Sequence, residues 1–175
     1  MIRTLTPADV QEYRILRLAA LQEQPPAFGT PAAKEERLSI ESIAARLQES
    51  EDTYILGAFA DDMLVGIIRF ARFDEANEKH RGFMAGLYVK PDWRQRGIAR
   101  SLATAVLVRA RQDAGLRRIH LTVVTAQDAA IQLYKSLGFG IYGTEQEAFS
   151  NQGRFYDEHL MELILCASHP ETSIG

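Results

Sequence analysis

The spacing of apolar residues predicts two helices in the first third of this chain. Tyr13, Leu16, Leu18 and Leu21 follow Thr6 at helical intervals, and threonine is a residue type that caps helix starts. A second helical stretch is predicted from Ala32 to Glu49. Between them lies the segment QPPAFGTP, whose prolines and glycine interrupt regular structure.

The remaining apolar runs predict strands and two more helices. The runs TYILGAFA and MLVGIIRFARF flank Asp61 and Asp62, a pattern typical of a β-hairpin. The polar segment DEANEKHR reads as a loop before the strand GFMAGLYV, in which Ala85 and Gly86 suit a bulge. The other predicted elements are a strand at Ile2–Leu5, helices from about Gly97 to Ala114 (ended by Gly115) and from Asp128 to Leu137 (ended by Gly138), the strand RRIHLTVVT, and strands near Gly140–Glu147 and Phe155–Leu165.

This order of elements predicts the fold class. Helices cross between strands only in the second half of the chain, which indicates an α/β domain with a mixed sheet. The chain has 175 residues, a length typical of one domain. We expect a single domain over residues 1–166 and a frayed tail over residues 167–175.

Composition and charge exclude several classes of protein. The chain is 46% hydrophobic and 25% charged, as in ordinary globular domains, and its net charge of −3 argues against a nucleic-acid partner. The single cysteine, Cys166, excludes an internal disulfide, and four scattered histidines give no zinc-site spacing, so no metal is expected. The first residues form no apolar leader and no run approaches a membrane span, so we expect a cytoplasmic protein with no membrane partner.

The sharpest chemical signal is the segment VKPDWRQRGIARSLATAVL, which leads from a strand directly into a helix. Unpaired backbone N–H groups at such a turn form an anion site, and the small residues Gly97 and Ala99 allow a diphosphate to approach the backbone. Arg94, Arg96 and Arg100 add positive charge there. An ordinary turn with solvated arginines is the alternative interpretation of this motif alone.

A second motif, QDAAIQLYKSLGF, lies thirty residues further on. It places Ala130, Leu133, Tyr134 and Leu137 on a helix ahead of a Gly-Phe pair. Together with the strand LYV and the turn RQRGIA, it resembles the GNAT N-acetyltransferase superfamily over residues Leu64–Phe139. The resemblance implies the GNAT fold, with a splay between two parallel strands, and acetyl-CoA as cosubstrate.

The resemblance also implies a set of cofactor-binding residues. The backbone of Leu87, Tyr88 and Val89 would pair with the pantetheine arm as an added strand would. The strand RRIHLTVVT would form the other wall of the splay. The turn that would hold the pyrophosphate consists of Arg94, Gln95, Arg96, Gly97, Ile98, Ala99, Arg100 and Ser101. Gln127, where family members often have asparagine, and Ala130 would contact the pantetheine.

Tyr134 is the general acid that the resemblance implies. A phenol is neutral at pH 7 and can protonate the departing CoA thiolate. A tyrosine that only packs on the sheet is the alternative interpretation.

The general base is left open by the sequence. Many family members have a glutamate where this chain has Phe83. The remaining candidates are Glu75, Glu78 and His80 in the preceding loop, and Glu158 or His159 on the final strand. We expect the amine proton to leave through ordered water toward Glu78 or His80 first and Glu158 next.

The acceptor is expected to be a primary amine of a small molecule or peptide, which attacks directly in a ternary complex. Phe28, Phe149, Phe155 and Tyr156 could form an apolar mouth, with Asp157 and Glu158 attracting the amine. The position of Cys166 argues against an acyl-cysteine route, and a homodimer stays open. A noncatalytic acyl-CoA sensor is the rival function, whereas a Rossmann enzyme would need a G-x-G-x-x-G motif that the chain lacks.

Overall fold

The structure, a computed structural model, describes residues 1–23 and 31–165. Residues 24–30, Cys166 and the expected tail lie outside the described residues. The helices are α1 (Val10–Glu23), α2 (Ala32–Glu36), α3 (Ile40–Arg46), α4 (Ile98–Gln112) and α5 (Asp128–Ser136). The strands are β1 (Ile2–Thr4), β2 (Thr53–Ala60), β3 (Met63–Arg72), β4 (Arg81–Val89), β5 (Arg118–Val124), β6 (Gly140–Asn151) and β7 (Arg154–Ile164).

The seven strands form one mixed sheet in the order β1-β2-β3-β4-β5-β7-β6. β4 and β5 run parallel, and every other neighbouring pair is antiparallel. The α/β fold class predicted from the sequence is therefore confirmed.

Each face of the sheet carries its own apolar core because successive side chains of a strand point to opposite faces. On β3, Ile67 packs with Leu16 and Ile43 on the side of α1 and α3. Its neighbour Ile68 packs with Leu102 of α4 on the other side, in a larger cluster that also includes α5. The sheet thus separates two layers of helices.

Local turn chemistry explains most element boundaries. Asp61 and Asp62, with φ of 49° and 61°, form the turn between β2 and β3, since two successive left-handed residues are what a type I′ hairpin needs. Gly138, with φ of 95°, follows the end of α5 as predicted. The helix α4 ends at Gln112, before Gly115, because Asp113 is already extended.

The second helical stretch differs from the prediction. Instead of one helix over Ala32–Glu49 there are two short helices, α2 and α3. Ser39 has extended backbone angles, and its side chain accepts a hydrogen bond from the Ser42 N–H at 3.1 Å. A serine N-cap of this kind begins a new helix and so divides the stretch.

Candidate active site

The parallel strands β4 and β5 separate partway along their length. They pair only at their starts, from Arg81 opposite Arg118 to Phe83 opposite His120. From Met84 to Val89 the side of β4 that faces β5 has no strand partner among the described residues. Backbone hydrogen-bonding groups on that edge are available to a ligand.

A β-bulge marks the place where the separation begins. The register between β3 and β4 shifts between Ile67 and Arg69, and Gly86 in the facing stretch has a φ of 66°. Glycine tolerates this left-handed conformation at little cost. The bulge that Ala85 and Gly86 suggested in the sequence is therefore present.

A cavity of about 460 Å³ occupies the opening and passes from one face of the sheet to the other. Tyr134, Ala130 and Gln127 line it on the α5 side. Tyr13 and Arg17 of α1 line it on the opposite side. Leu87 of β4 and residues 122–124 of β5 form the walls between, as expected for the strand RRIHLTVVT.

The turn before α4 presents a row of backbone donors. Gln95 and Gly97 have positive φ values of 60° and 77°, and Gly97 is the N-cap of α4. Among the described residues, none accepts a hydrogen bond from the N–H groups of residues 95–100, whereas the N–H of Ser101 bonds to the Gly97 carbonyl at 2.9 Å. A Cβ added at Gly97 would meet no atom within 4 Å. The turn can therefore bind an anion.

The three arginines of this turn have different partners. The Arg94 guanidinium pairs with Glu23 at 2.7 Å and donates to the Val89 carbonyl at 2.9 Å, two contacts that the sequence did not predict, and its contribution to an anion site stays a prediction. Arg96 lies 4.8 Å from the Trp93 ring centre, and Arg100 donates to the Ser136 hydroxyl at 2.8 Å. The side chains of Arg96, within the turn, and Arg100, in the first turn of α4, are exposed to solvent.

The other expected cofactor-binding residues lie around this turn and the opening. The side chain of Leu87 lines the cavity, whereas Tyr88 is buried on the α1 side and donates from its hydroxyl to Glu23 at 2.5 Å. Burial raises the pKa of Tyr88 to about 12. Ile98 and Ala99 are half-buried against the larger core, and Ser101 is exposed.

Tyr134 lies at the α5 wall of the cavity and is 8% exposed. Its ring packs edge-on against Phe139 at 5.8 Å between centroids. Burial raises the pKa of its phenol, so the group keeps its proton at neutral pH. No described residue hydrogen-bonds its hydroxyl, which leaves that proton available to a ligand in the cavity.

Of the candidate bases, Glu158 alone lines the cavity. It is half-buried on β7, and burial raises the pKa of its carboxyl group. Glu78 instead pairs with Arg81 at 3.0 Å, at the end of β4 that remains paired with β5. Glu75, His80 and His159 are also outside the cavity lining, and Phe83 is part of it.

The aromatic residues expected to form an acceptor mouth lie elsewhere. Phe149 stacks on Tyr156 at 5.2 Å between β6 and β7, and Phe155 is 61% exposed. Asp157 accepts a hydrogen bond from the Glu147 backbone at 2.8 Å. None of these four lines the cavity, and Phe28 lies outside the described residues.

Sequence reasoning missed the charged residues on the α1 side of the cavity, which are Arg17, Lys34, Glu35, Arg46 and Arg69. They come from four elements and share no motif. Glu35 is 2% exposed and pairs with Arg46 at 2.5 Å. An acid at the second position from the end of a short polar helix gives no sign of such burial in the sequence.

No helix within residues 1–23 and 31–165 is long and apolar enough to cross a membrane. In the same part of the chain, no group of three or more His, Cys, Asp and Glu side chains is arranged to hold a metal ion.

Known proteins of similar sequence are acetyltransferases. Residues 16–139 match the family model described as the acetyltransferase (GNAT) family. A mycothiol acetyltransferase from Nocardiopsis dassonvillei is 44% identical over 57 residues, which are 33% of this chain and 17% of that protein. An aminoglycoside N(6')-acetyltransferase type 1 from Stenotrophomonas maltophilia is 32% identical over 122 residues, which are 67% of this chain and 71% of that protein.

Solved structures share the fold over nearly the whole chain. An acetyltransferase of the GNAT family from Streptococcus pneumoniae has a TM-score of 0.84 at 24% identity, covering 95% of this chain and 99% of that one. A putative acetyltransferase from Salmonella typhimurium, solved with its cofactor acetyl-CoA, has a TM-score of 0.81 at 19% identity, covering 95% and 94%. By its family match, which spans well over half of the sequence, this chain belongs to the acetyltransferase (GNAT) family.

Proposed function

We propose that this protein transfers an acetyl group from acetyl-CoA to a primary amine, which attacks directly while both substrates are bound. The observation that carries the proposal is the opening between β4 and β5, where a free strand edge and a buried, protonated tyrosine border one cavity, and where the chain continues from the open end of β4 into an anion-binding turn. The acetyltransferases named above support the reaction class, but their names give different acceptors.

The described residues fit acetyl-CoA. The donors of residues 95–100 suit its diphosphate, and the open space at Gly97 lets a phosphate approach the backbone. The free edge from Met84 to Val89 suits the amides of its pantetheine arm. Bound acetyl-CoA supplies an activated thioester, and the chain's own residues bind it, orient it and move protons around it.

Tyr134 is proposed as the general acid. Its raised pKa keeps the phenol protonated, and its hydroxyl has no described partner that would compete for the proton. The group can therefore donate to the sulfur as the thioester bond breaks.

Glu158 is proposed as the final acceptor of the amine proton. An alkylamine has a pKa near 10.4, so deprotonating it at pH 7 costs about 4 to 5 kcal/mol, and a nearby carboxylate or a water chain leading to one helps. Glu158 lines the cavity from β7, the strand that pairs with β5, and lies beside Thr122 of β5. At position 83 of β4 this chain has phenylalanine and therefore no carboxylate to contact the amine directly. In the proposed reaction, one water between the amine and Glu158 carries the proton.

The test is release of free CoA thiol from acetyl-CoA in the presence of a panel of amines. We expect amine-dependent release in the wild type and a loss of about 10²-fold or more in kcat for Tyr134→Phe, with little change in acetyl-CoA affinity. Tyr142→Phe is the matched control. Tyr142 is an exposed tyrosine on β6, so this variant should keep the kcat of the wild type.

Two results would contradict the proposal. Normal turnover by Tyr134→Phe would show that this tyrosine only packs against Phe139. Tight binding of acetyl-CoA without thiol release for any amine would favour a noncatalytic acyl-CoA sensor, which the absence of a strand glutamate at Phe83 also favours.

A further inference from the structure

The cavity carries an excess of positive charge. Four cationic side chains line it, Arg17, Lys34, Arg46 and Arg69, against the two carboxylates Glu35 and Glu158. The Glu35 carboxylate is committed to Arg46 at 2.5 Å. Neither Lys34 nor Arg69 forms a salt bridge with any residue that the structure describes.

Two of these cations lie beside the bulge where the strands separate. A Cβ built on Gly86 would lie 3.6 Å from a guanidinium nitrogen of Arg17. Arg69 is opposite Ala85 in the β3–β4 register, and it shares the face of Ile67, which is the α1 side. Burial lowers the pKa of Arg17, and the neighbouring charges of Arg46 and Arg69 act in the same direction. An anion placed between these side chains would relieve that crowding.

These cations lie on the opposite face of the sheet from Tyr134. Tyr134 belongs to the core shared with α4 and α5, whereas Tyr13 and Ile67, beside Arg17 and Arg69, belong to the core under α1. The CoA-binding features, which are the turn at residues 95–100 and Tyr134, thus lie on one side of the opening. The side that remains for the second substrate is the cationic one.

We propose that the acceptor is a small amino acid-type compound, whose carboxylate is bound by Arg17 and Arg69 while its amine reaches the opening at Gly86. This inference rests on the proposed acetyl transfer and adds the acceptor's chemical class. Guanidinium groups pair well with carboxylates through two parallel hydrogen bonds. A cavity of about 460 Å³, shared with the acetyl end of the cosubstrate, fits a small acceptor.

The same charges favour the reaction and disfavour other acceptors. Nearby cations lower the pKa of an amine, so the bound acceptor loses its proton more readily. A polyamine or an oligocationic aminosugar would bring further positive charge against Arg17, Arg69 and Lys34, and like charges in a partly buried site repel strongly.

The experiment compares each standard amino acid that has a primary amine, β-alanine and 4-aminobutyrate with its own carboxamide. The members of a pair have the same side chain and differ in the negative charge and in the lower amine pKa of the carboxamide, so kcat/KM is calculated on the concentration of neutral amine. We expect kcat/KM for the best carboxylate to exceed that of its amide at least tenfold, and spermidine to be a poor acceptor. Arg69→Gln should lower kcat/KM for the carboxylate at least tenfold and leave the amide within about twofold. Arg69 is exposed, so this change should not unfold the protein.

Arg111→Gln is the matched control, because Arg111 is an exposed arginine of α4 outside the cavity. Its loss should change kcat/KM neither for the carboxylate nor for the amide. Calorimetric titration of the same pairs into CoA-loaded protein gives a readout that needs no turnover. A carboxylate preference in binding without thiol release would support a carboxylate site at Arg17 and Arg69 but overturn the proposed acetyl transfer, and with it the bound compound's role as acceptor. Turnover that prefers amides or spermidine, or an equal loss for both members of a pair in Arg69→Gln, would overturn the inference alone.

Discussion

At the scale of single residues, the Glu158 carboxyl group experiences opposing influences. Burial raises its pKa, a hydrogen bond with Thr122 lowers it, and the charge of Glu145 raises it further. Glu145 faces Glu158 across the β6–β7 ladder. The net effect is a carboxyl group that titrates above the ordinary glutamate range, closer to the pH at which an enzyme works.

This shift predicts the pH dependence of the reaction. Below the pKa of the amine, log kcat/KM should rise with a slope of 1, because only neutral amine attacks. Just below the pKa of Glu158 the slope should steepen toward 2, since the carboxylate is lost as well, and it should return to 1 once water alone accepts the proton. Glu158→Gln should lower kcat/KM by less than about 10²-fold, because water can accept the proton instead, and should keep a slope of 1 throughout.

Glu145→Gln is the informative companion of that variant. Removing the neighbouring charge should shift the lower break in the profile to more acid pH without abolishing it. Neither Glu145→Gln nor Glu158→Gln should unfold the protein at neutral pH. The pKa of Glu158 is raised on folding, and a carboxyl group of this kind stabilises the folded state only at low pH and loses that contribution as the pH rises. A 10³-fold loss in Glu158→Gln would mean a dedicated base in direct contact with the amine.

At the scale of elements, the turn before α4 is the part of the site that the sequence predicted best. Its small residues, its position after a strand and its helix start are all local, so RQRGIA identifies it without tertiary information. The side chain of Arg94 is the exception. Its partner Glu23 lies 71 positions earlier in the chain, and only the packing of α1 against the sheet brings the two together.

Gly97 offers a test of this turn that separates charge from backbone strain. Its φ of 77° strains most side chains, but asparagine and aspartate tolerate that conformation and have the same shape. Gly97→Asp should bind CoA at least tenfold more weakly than Gly97→Asn by calorimetric titration, because its carboxylate faces the diphosphate. The difference should shrink in 0.5 M NaCl, since salt screens exposed charges.

Equal affinities for the two variants would mean that the diphosphate binds away from Gly97. Unfolded protein would not mimic the expected result, since both variants carry the same bulk and the same backbone conformation. Their thermal midpoints without CoA should therefore agree and serve as the control.

At the scale of the whole molecule, local patterns predicted the sheet, whereas its opening was predicted only from the family resemblance. Alternation of apolar residues predicts β2 to β5, and turn residues predict the hairpin. The opening is defined by pairs that β4 and β5 fail to make, which no local pattern encodes. The cationic wall is assembled from Arg17, Lys34 and Arg69 on separate elements, whereas the sequence suggested an apolar mouth with Asp157 and Glu158 to attract the amine. Only the chain topology brings those cations together.

In the proposed complex CoA contacts β4, β5 and α4, so all three must be in place and binding should stabilise the entire fold. A ligand at 100 times its Kd that binds only the folded state adds about 2.7 kcal/mol to the free energy of unfolding. For a domain of this size, each 1 kcal/mol raises the melting temperature by roughly 2 to 4 °C. CoA at that concentration should therefore raise the thermal midpoint by about 5 to 10 °C, measured by scanning calorimetry.

Gly97→Asp at the same CoA concentration should show a shift several degrees smaller. Pantetheine, which lacks the diphosphate, should at that same concentration also give a smaller shift, because it cannot use the donors of residues 95–100. An equal shift from pantetheine and CoA would show that the turn contributes nothing to binding and that the strand edge alone holds the cosubstrate.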